Sequence, residues 1–162
     1  MCGIYLLFSK TLQPLHSLTK NLCKIQHRGQ DSYGILYKNN ENTLHNNFKG
    51  KIVSYEGDET TNLFIAHLRY TTSGFIGEDG SQPISSSNKF GNFSFVFNGN
   101  IPCKDYKFIF NREFTLDTTM IRHFLEVEAE KCDNWLDLLK KFINTFARAY
   151  SIIITTDTDV YM

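Results

Sequence analysis

The sequence lacks an excess of charge of either sign. Its 162 residues include 17 Lys and Arg against 17 Asp and Glu, so the formal net charge is zero. A nucleic-acid-binding domain is usually basic overall or on one face. We therefore expect the partner to be a small molecule or another protein, and no nucleic acid.

A long apolar run is also missing. No stretch approaches the roughly 20 apolar residues that a membrane-spanning helix needs. The N-terminus has no basic region followed by the apolar core of a secretory signal. From these two absences we expect a soluble, cytoplasmic protein with no membrane partner.

Closely spaced cysteine pairs are absent as well. The four cysteines are far apart in the sequence, at Cys2, Cys23, Cys103 and Cys132. Zinc ribbons and disulfide frameworks both need closer or patterned spacing. We expect reduced thiols, no metal site and no cofactor.

No internal repeat or low-complexity linker interrupts the chain, and its length suits one domain over residues 1–162. Apolar runs predict strands at residues 2–8, 33–37, 63–70, 93–97 and 150–155. Helical spacing of apolar residues predicts helices over 15–25, from 117 and from 133. A long polar loop is expected over 75–90. This order favours an α+β fold with two layers of strands and helices outside.

The second residue is the first candidate for chemistry. If Met1 is removed, Cys2 becomes the chain end and carries its own base. A terminal α-amine has a reference pKa of about 7.7 to 8.0, so it can accept the proton of a thiol one residue away. The alternative is a buried cysteine at the start of the first strand.

Polar groups at the ends of predicted strands form a second set of candidates. Asn98 offers a side-chain amide and Gly99 an unobstructed N–H, which are the donors that an oxyanion needs. The alternative for this pair is an ordinary Asn-Gly hairpin turn. Arg69 could hold a carboxylate by two parallel hydrogen bonds, or could be a structural arginine paired with Asp31. Asp117 could bind an ammonium group, or could simply cap a helix.

The order of these segments is specific. The chain reads Cys-Gly-Ile at residues 2–4, His-Arg-Gly-Gln-Asp-Ser-Tyr-Gly-Ile at 27–35 and Ala-His-Leu-Arg-Tyr-Thr-Thr-Ser-Gly at 66–74. Gln-Pro at 82–83, Asn-Gly-Asn at 98–100 and Asp-Thr at 117–118 follow. As an ordered set, these segments resemble the class II glutamine amidotransferase domain. Within that family the chain is most similar to the glutaminase half of amidophosphoribosyltransferase, because Gln30 follows the His-Arg-Gly.

The resemblance implies a role for each matching residue. Cys2 would be the nucleophile and, through its amine, the base, while Asn98 and Gly99 would form the oxyanion hole. Arg69, helped by Thr72, would hold the α-carboxylate of glutamine. Asp117 would hold its α-ammonium group. Arg28 and Gly29 would support the nucleophile from behind.

The resemblance also implies a fold and a reaction. The fold would be an N-terminal-nucleophile hydrolase type four-layer αββα sandwich of two antiparallel sheets, C-terminally incomplete. The reaction would be hydrolysis of glutamine to glutamate and ammonia through a Cys2 thioester. The ammonia would serve an acceptor domain in trans, and the incomplete edge would take that partner or a second copy. The alternative is a catalytically inactive relative that binds glutamine or another protein.

Overall fold

The computed structural model of the protein describes residues 2–38, 43–70 and 80–162. The chain divides into two compact units. The first comprises Met1–Pro83 with Val96–Asn98, and the second comprises Ile84–Phe95 with Gly99–Met162.

The first unit contains a four-stranded antiparallel sheet and one helix. Its strands are β1 (Gly3–Pro14), β2 (Ser32–Lys38), β3 (Thr43–Lys49) and β4 (Thr60–Arg69), in the order β1-β4-β2-β3. The helix, α1 (Leu15–Lys24), packs Leu15, Leu18 and Leu22 into a cluster with Phe64 and Leu68 of β4. Because β4 is paired on both sides, all six residues from 63 to 68 are buried.

The second unit contains most of the other sheet and three helices. The strands are β5 (Ile84–Asn88), β6 (Gly91–Gly99), β7 (Tyr150–Thr156) and β8 (Val160–Tyr161), in that order across the sheet. The helices are α2 (Lys107–Phe110), α3 (Asp117–Val127) and α4 (Trp135–Thr145).

Aromatic rings make the core of the second unit. Phe146 lies with its ring centroid 5.2 Å from that of Phe124 and 4.9 Å from that of Phe142. Since these side chains come from α3, α4 and the residue after α4, the rings join the two long helices.

Most predicted elements are confirmed, and three details are wrong. Residues 84–88 of the expected polar loop form β5, which pairs with β6. Asn98 and Gly99 do not make a sharp turn, because β6 continues through both. The helix expected from Asp133 begins at Trp135, with Asn134 as its N-cap.

The second sheet ends at the short strand β8, beside an apolar groove lined by α4, β7 and β8. Leu136, Ile143 and Met162 are exposed there. An open strand edge of this kind can pair with another chain. The acceptor partner or second copy expected from the sequence stays a prediction. Among the described residues, no helix is long and apolar enough to cross a membrane.

Candidate active site

Cys2 lies directly before β1 and is half-buried. The next residue, Gly3, pairs with Leu68, and Ile4 pairs with His67, so β1 runs alongside the end of β4. The Cys2 Sγ atom lies 3.7 Å from the main-chain oxygen of Tyr70. Strand pairing therefore brings the thiol to the point where β4 ends.

Asn98 reaches the same point from β6. Its Nδ2 atom donates a hydrogen bond to the main-chain oxygen of Cys2 over 3.2 Å. Residues 96–98 belong to the first unit, so this contact joins two parts of one compact body. The hairpin alternative for Asn98-Gly99 is excluded, because the strand does not turn there.

Arg28 and Gly29 pack against the ends of β1 and β4 that lie next to Cys2. A Cβ atom on Gly3 would lie 3.0 Å from the Arg28 Cβ, and one on Gly29 would lie 2.5 Å from the Leu68 carbonyl carbon and oxygen. Gly29 has an extended backbone, with φ of −168°. Glycine is therefore needed at 29 for close approach to β4 and not for an unusual φ.

Gln26 fixes the Arg28–Gly29 segment from the other side. Its Nε2 atom donates to the main-chain oxygen of Gly29. Its Oε1 atom accepts from the Ile52 N–H over 2.6 Å. One side chain thus ties the segment to the loop before β4. Gln26 was not among the residues predicted for the site, since a glutamine after a helix has no distinctive pattern.

Arg69 is the last residue of β4 and is only 7% exposed. Its main-chain oxygen accepts from the Asp31 N–H over 3.1 Å. A Cβ atom on Gly80 would lie 2.4 Å from the guanidinium carbon, so the chain at Gly80 lies against the guanidinium group. Thr72, the residue expected to help Arg69, lies outside the described residues.

Two candidate residues belong to the second unit. Gly99 is the last residue of β6. Asp117 is the first residue of α3, so it is not the N-cap, and Leu116 holds that position. The carboxylate of Asp117 accepts from the Thr118 N–H over 2.8 Å and from the Ile101 N–H over 3.4 Å. Burial raises the pKa of this carboxyl group above its ordinary value.

The structure adds His67, to which the sequence assigned no function. It is 1% exposed and lies two residues before Arg69 on β4. Burial, with a smaller contribution from the nearby Arg69 charge, lowers the pKa of His67 to about 3. A titratable residue inside the apolar run of a buried strand was the signal that could have identified it.

Gln82 packs over the part of the first sheet that carries His67. It is buried, and its Oε1 atom accepts from the Phe97 N–H over 2.5 Å. A Cβ atom on Gly34 would lie 2.0 Å from the Gln82 main-chain oxygen, so Gln82 lies over β2. The Gln82-Pro83 peptide bond is cis. Gln82 therefore connects the end of β6 to the face of the first sheet that carries His67.

Comparisons with known proteins show what the chain is similar to. No family model matches the chain. The chain is 28% identical to the amidophosphoribosyltransferase of Methanocaldococcus jannaschii, over 95% of its own length and 35% of the relative's. For the amidophosphoribosyltransferase of Methanothermobacter thermautotrophicus, the identity is 26% over 99% of the chain and 37% of the relative. The glutamine–fructose-6-phosphate aminotransferase of Haemophilus influenzae is 28% identical over 85% of the chain and 24% of the relative.

The chain is homologous to class II glutamine amidotransferase domains. It spans about a third of the length of the amidophosphoribosyltransferases that it matches.

Solved structures give the fold of this chain. The glutamine phosphoribosylpyrophosphate amidotransferase of B. subtilis, complexed with ADP and GMP, matches with a TM-score of 0.73 and 20% identity. A structure titled as the allosteric regulatory enzyme of purine biosynthesis matches with a TM-score of 0.74 and 21% identity. Each match covers 99% of this chain and 36% of the other. The expected α+β fold of the N-terminal-nucleophile hydrolase type is confirmed.

Proposed function

We propose that the domain hydrolyses the side-chain amide of free glutamine to glutamate and ammonia, with Cys2 as its nucleophile. The observation that carries this proposal is the hydrogen bond from Asn98 Nδ2 to the main-chain oxygen of Cys2. It brings an amide donor next to the thiol-bearing residue, at the end of the strand that carries Arg69.

The first chemical step joins the thiol to the substrate. The free α-amine of Cys2 takes the thiol proton, and the sulfur attacks the carboxamide carbon of glutamine. The carbonyl π electrons move to the oxygen, which becomes an oxyanion. Asn98 Nδ2 and the Gly99 N–H donate to this oxyanion, and a preorganised donor of this kind contributes about 10²- to 10³-fold in rate.

The second and third steps release the products. The protonated amine gives its proton to the leaving nitrogen, the carbon–nitrogen bond breaks and ammonia departs. A γ-glutamyl thioester remains on Cys2. Water, deprotonated by the same amine, attacks this thioester, so glutamate leaves and the thiol is restored.

Two charged contacts would select free glutamine. Arg69, with Thr72, binds the α-carboxylate, and Asp117 binds the α-ammonium group. A glutamine inside a peptide has neither charge, so it loses both charge-assisted interactions. The burial of Arg69 supports this role, because a buried guanidinium is less screened by solvent than an exposed one.

Arg28 and Gly29 support the nucleophile without touching substrate. Their packing against Gly3 and Leu68 keeps β1 and β4 in register at the site. We propose further that the ammonia is used by an acceptor domain on another chain. The names of the relatives support the use of the nitrogen by an acceptor, since both amidophosphoribosyltransferase and the aminotransferase denote transfer of nitrogen.

Glutamine turnover by the chain that begins at Cys2 tests the proposal. Mass spectrometry first verifies that Met1 is absent. We expect glutamate and ammonia in equal amounts, and a loss of about 10³-fold or more in kcat for Cys2→Ala. Cys23→Ala is the matched control, because Cys23 is exposed on α1, and this variant should keep full activity. Glutamine binding without turnover would instead favour the inactive binding module.

A further inference from the structure

His67 shares a face of the first sheet with the candidate site. It pairs with Ile4 of β1 on one side and with Gly34 of β2 on the other. Directly paired residues of an antiparallel sheet point to the same face, and so do residues two apart on one strand. His67 and Arg69 therefore project from the same face of β4. Cys2 lies directly before β1 and two residues before Ile4, so it continues the alternation of side chains on this face.

The ring of His67 is enclosed. Among the described residues, neither of its nitrogens has a hydrogen-bond partner of good geometry. An interaction of the ring with the Phe97 main chain opposes the lowering of the His67 pKa but does not cancel it. The imidazole is therefore neutral throughout the neutral pH range, beside the cation of Arg69.

A buried polar group without good partners lowers stability, so a purely structural role does not explain why a histidine stands at position 67. A leucine of similar size would fill the same space without that cost. The surroundings of Arg69 suggest a different explanation. The chain at Gly80 lies against the guanidinium, and His67 lies one row below it on the same strand.

We propose that His67 is a positioning residue that holds the Arg69 guanidinium in place for the α-carboxylate of the substrate. A neutral imidazole gives the guanidinium a polar neighbour and adds no negative charge that would compete with the substrate. This inference rests on the proposed function and adds to it the residue that makes Arg69 selective.

Selectivity between two amides tests the proposal. 4-Aminobutanamide keeps the amide and the amine of glutamine but lacks the α-carboxylate. For His67→Leu we expect the ratio of kcat/KM for glutamine to kcat/KM for 4-aminobutanamide to fall by about tenfold. The value of kcat at saturating glutamine should stay within about twofold, because the reacting atoms are not touched. The melting temperature should not fall, because an unsatisfied polar ring is removed.

Two further variants separate the proposed polar role of His67 from a general loss of packing. His67→Gln keeps an uncharged polar side chain, so it should retain the wild-type ratio within about threefold. Ile65→Val is the control, because Ile65 is fully buried two residues deeper on the same face of β4. It should lower the melting temperature and leave the ratio unchanged.

Three results overturn the proposal. One is an unchanged ratio in His67→Leu. Another is an equal fall of the ratio in Ile65→Val. The third is a His67→Leu chain that melts lower or does not fold, which would assign the ring to structure alone.

The proposed function can fail separately. If wild type binds glutamine but does not hydrolyse it, the proposed function is wrong. The role of His67 is then tested by the ratio of the dissociation constants for 4-aminobutanamide and glutamine, compared between wild type and His67→Leu. If wild type neither binds nor hydrolyses glutamine, both proposals fail.

Discussion

At the scale of the residue, the proposed choice of substrate depends on Arg69. It is a buried cation whose guanidinium has the Gly80 main chain on one side. A planar guanidinium can bind a carboxylate with two parallel hydrogen bonds, whereas an ammonium acts as a point charge. Charge alone would therefore not reproduce the proposed contact.

Arg69→Lys should raise KM for glutamine by about tenfold or more with a smaller change in kcat, because the lysine loses the two-pronged contact. Steady-state kinetics check this. Arg122→Lys is the control, since Arg122 is half-exposed on α3 and pairs with Glu126 four residues on. An unchanged KM in Arg69→Lys would contradict the assignment.

The sequence predicted the nature of these residues better than their contacts. Cys2, Asn98 and Arg69 were identified as candidates from residue type and motif order. The hydrogen bond from Asn98 to Cys2 joins residues 96 positions apart. No local pattern encodes such a pairing. For His67 the sequence held a local signal, a titratable residue in an apolar run, but the role proposed for it depends on what surrounds it in three dimensions.

At the scale of the element, the β1–β4 pair supports the nucleophile. Gly29 packs against the end of β4, where a Cβ atom on residue 29 would lie 2.5 Å from the main chain of Leu68 and 2.6 Å from that of Arg69. Main-chain atoms in a paired strand cannot move aside as a flexible side chain can. The sheet and the site are therefore coupled at this glycine.

Gly29→Ala should lower the free energy of unfolding by about 2 kcal/mol or more, because the methyl group overlaps the strand. It should also reduce glutamine turnover, since Leu68 and Arg69 must shift. Denaturant unfolding and the glutamate assay measure the two effects.

Gly50→Ala is the comparison. Gly50 has φ of +82° and open space where the Cβ would lie. Gly50→Ala should lower the free energy of unfolding by about 1 kcal/mol through backbone strain alone, with no loss of glutamine turnover. Equal stability and turnover losses in the two variants would show that close packing at Gly29 is not what matters.

Local pattern predicted α1, α3, α4 and five of the strands, and β5 was among the strands that it did not predict. The Ser85–Ser87 run reads as a loop, because serine is common in turns. The strand forms through partners distant in sequence. It pairs with β6, and Asn88 Nδ2 donates to the Leu125 main-chain oxygen over 3.0 Å. Tertiary contacts outweigh local preference there.

At the scale of the whole molecule, two histidines make stability depend on pH. The pKa of His67 falls to about 3 on folding, from an ordinary value of 6.5, because of burial and the Arg69 charge. Burial also lowers the pKa of His45. Both residues bind protons more readily in the unfolded chain, so acid favours unfolding.

The fold is therefore most stable with respect to His67 protonation above pH 6.5, and it loses stability as the pH falls from 6.5 toward 3, because the unfolded chain binds the proton more readily. Between pH 7 and 5 the His67 contribution should fall by about 2 kcal/mol in free energy of unfolding. His67→Gln should remove that part of the pH dependence, leaving the part from His45. Urea unfolding at the two pH values measures the difference. An identical pH dependence in His67→Gln would contradict the burial of a neutral ring.

In the proposed reaction, the glutamine amide carbon becomes bonded to the sulfur of an N-terminal Cys2. Acid-quenching the domain during glutamine turnover and mapping the adduct by mass spectrometry tests it directly. We predict a γ-glutamyl thioester on the peptide that begins at Cys2. Glutamate that accumulates while Met1 is still attached, or an adduct on Cys23, Cys103 or Cys132 in place of Cys2, would contradict the account.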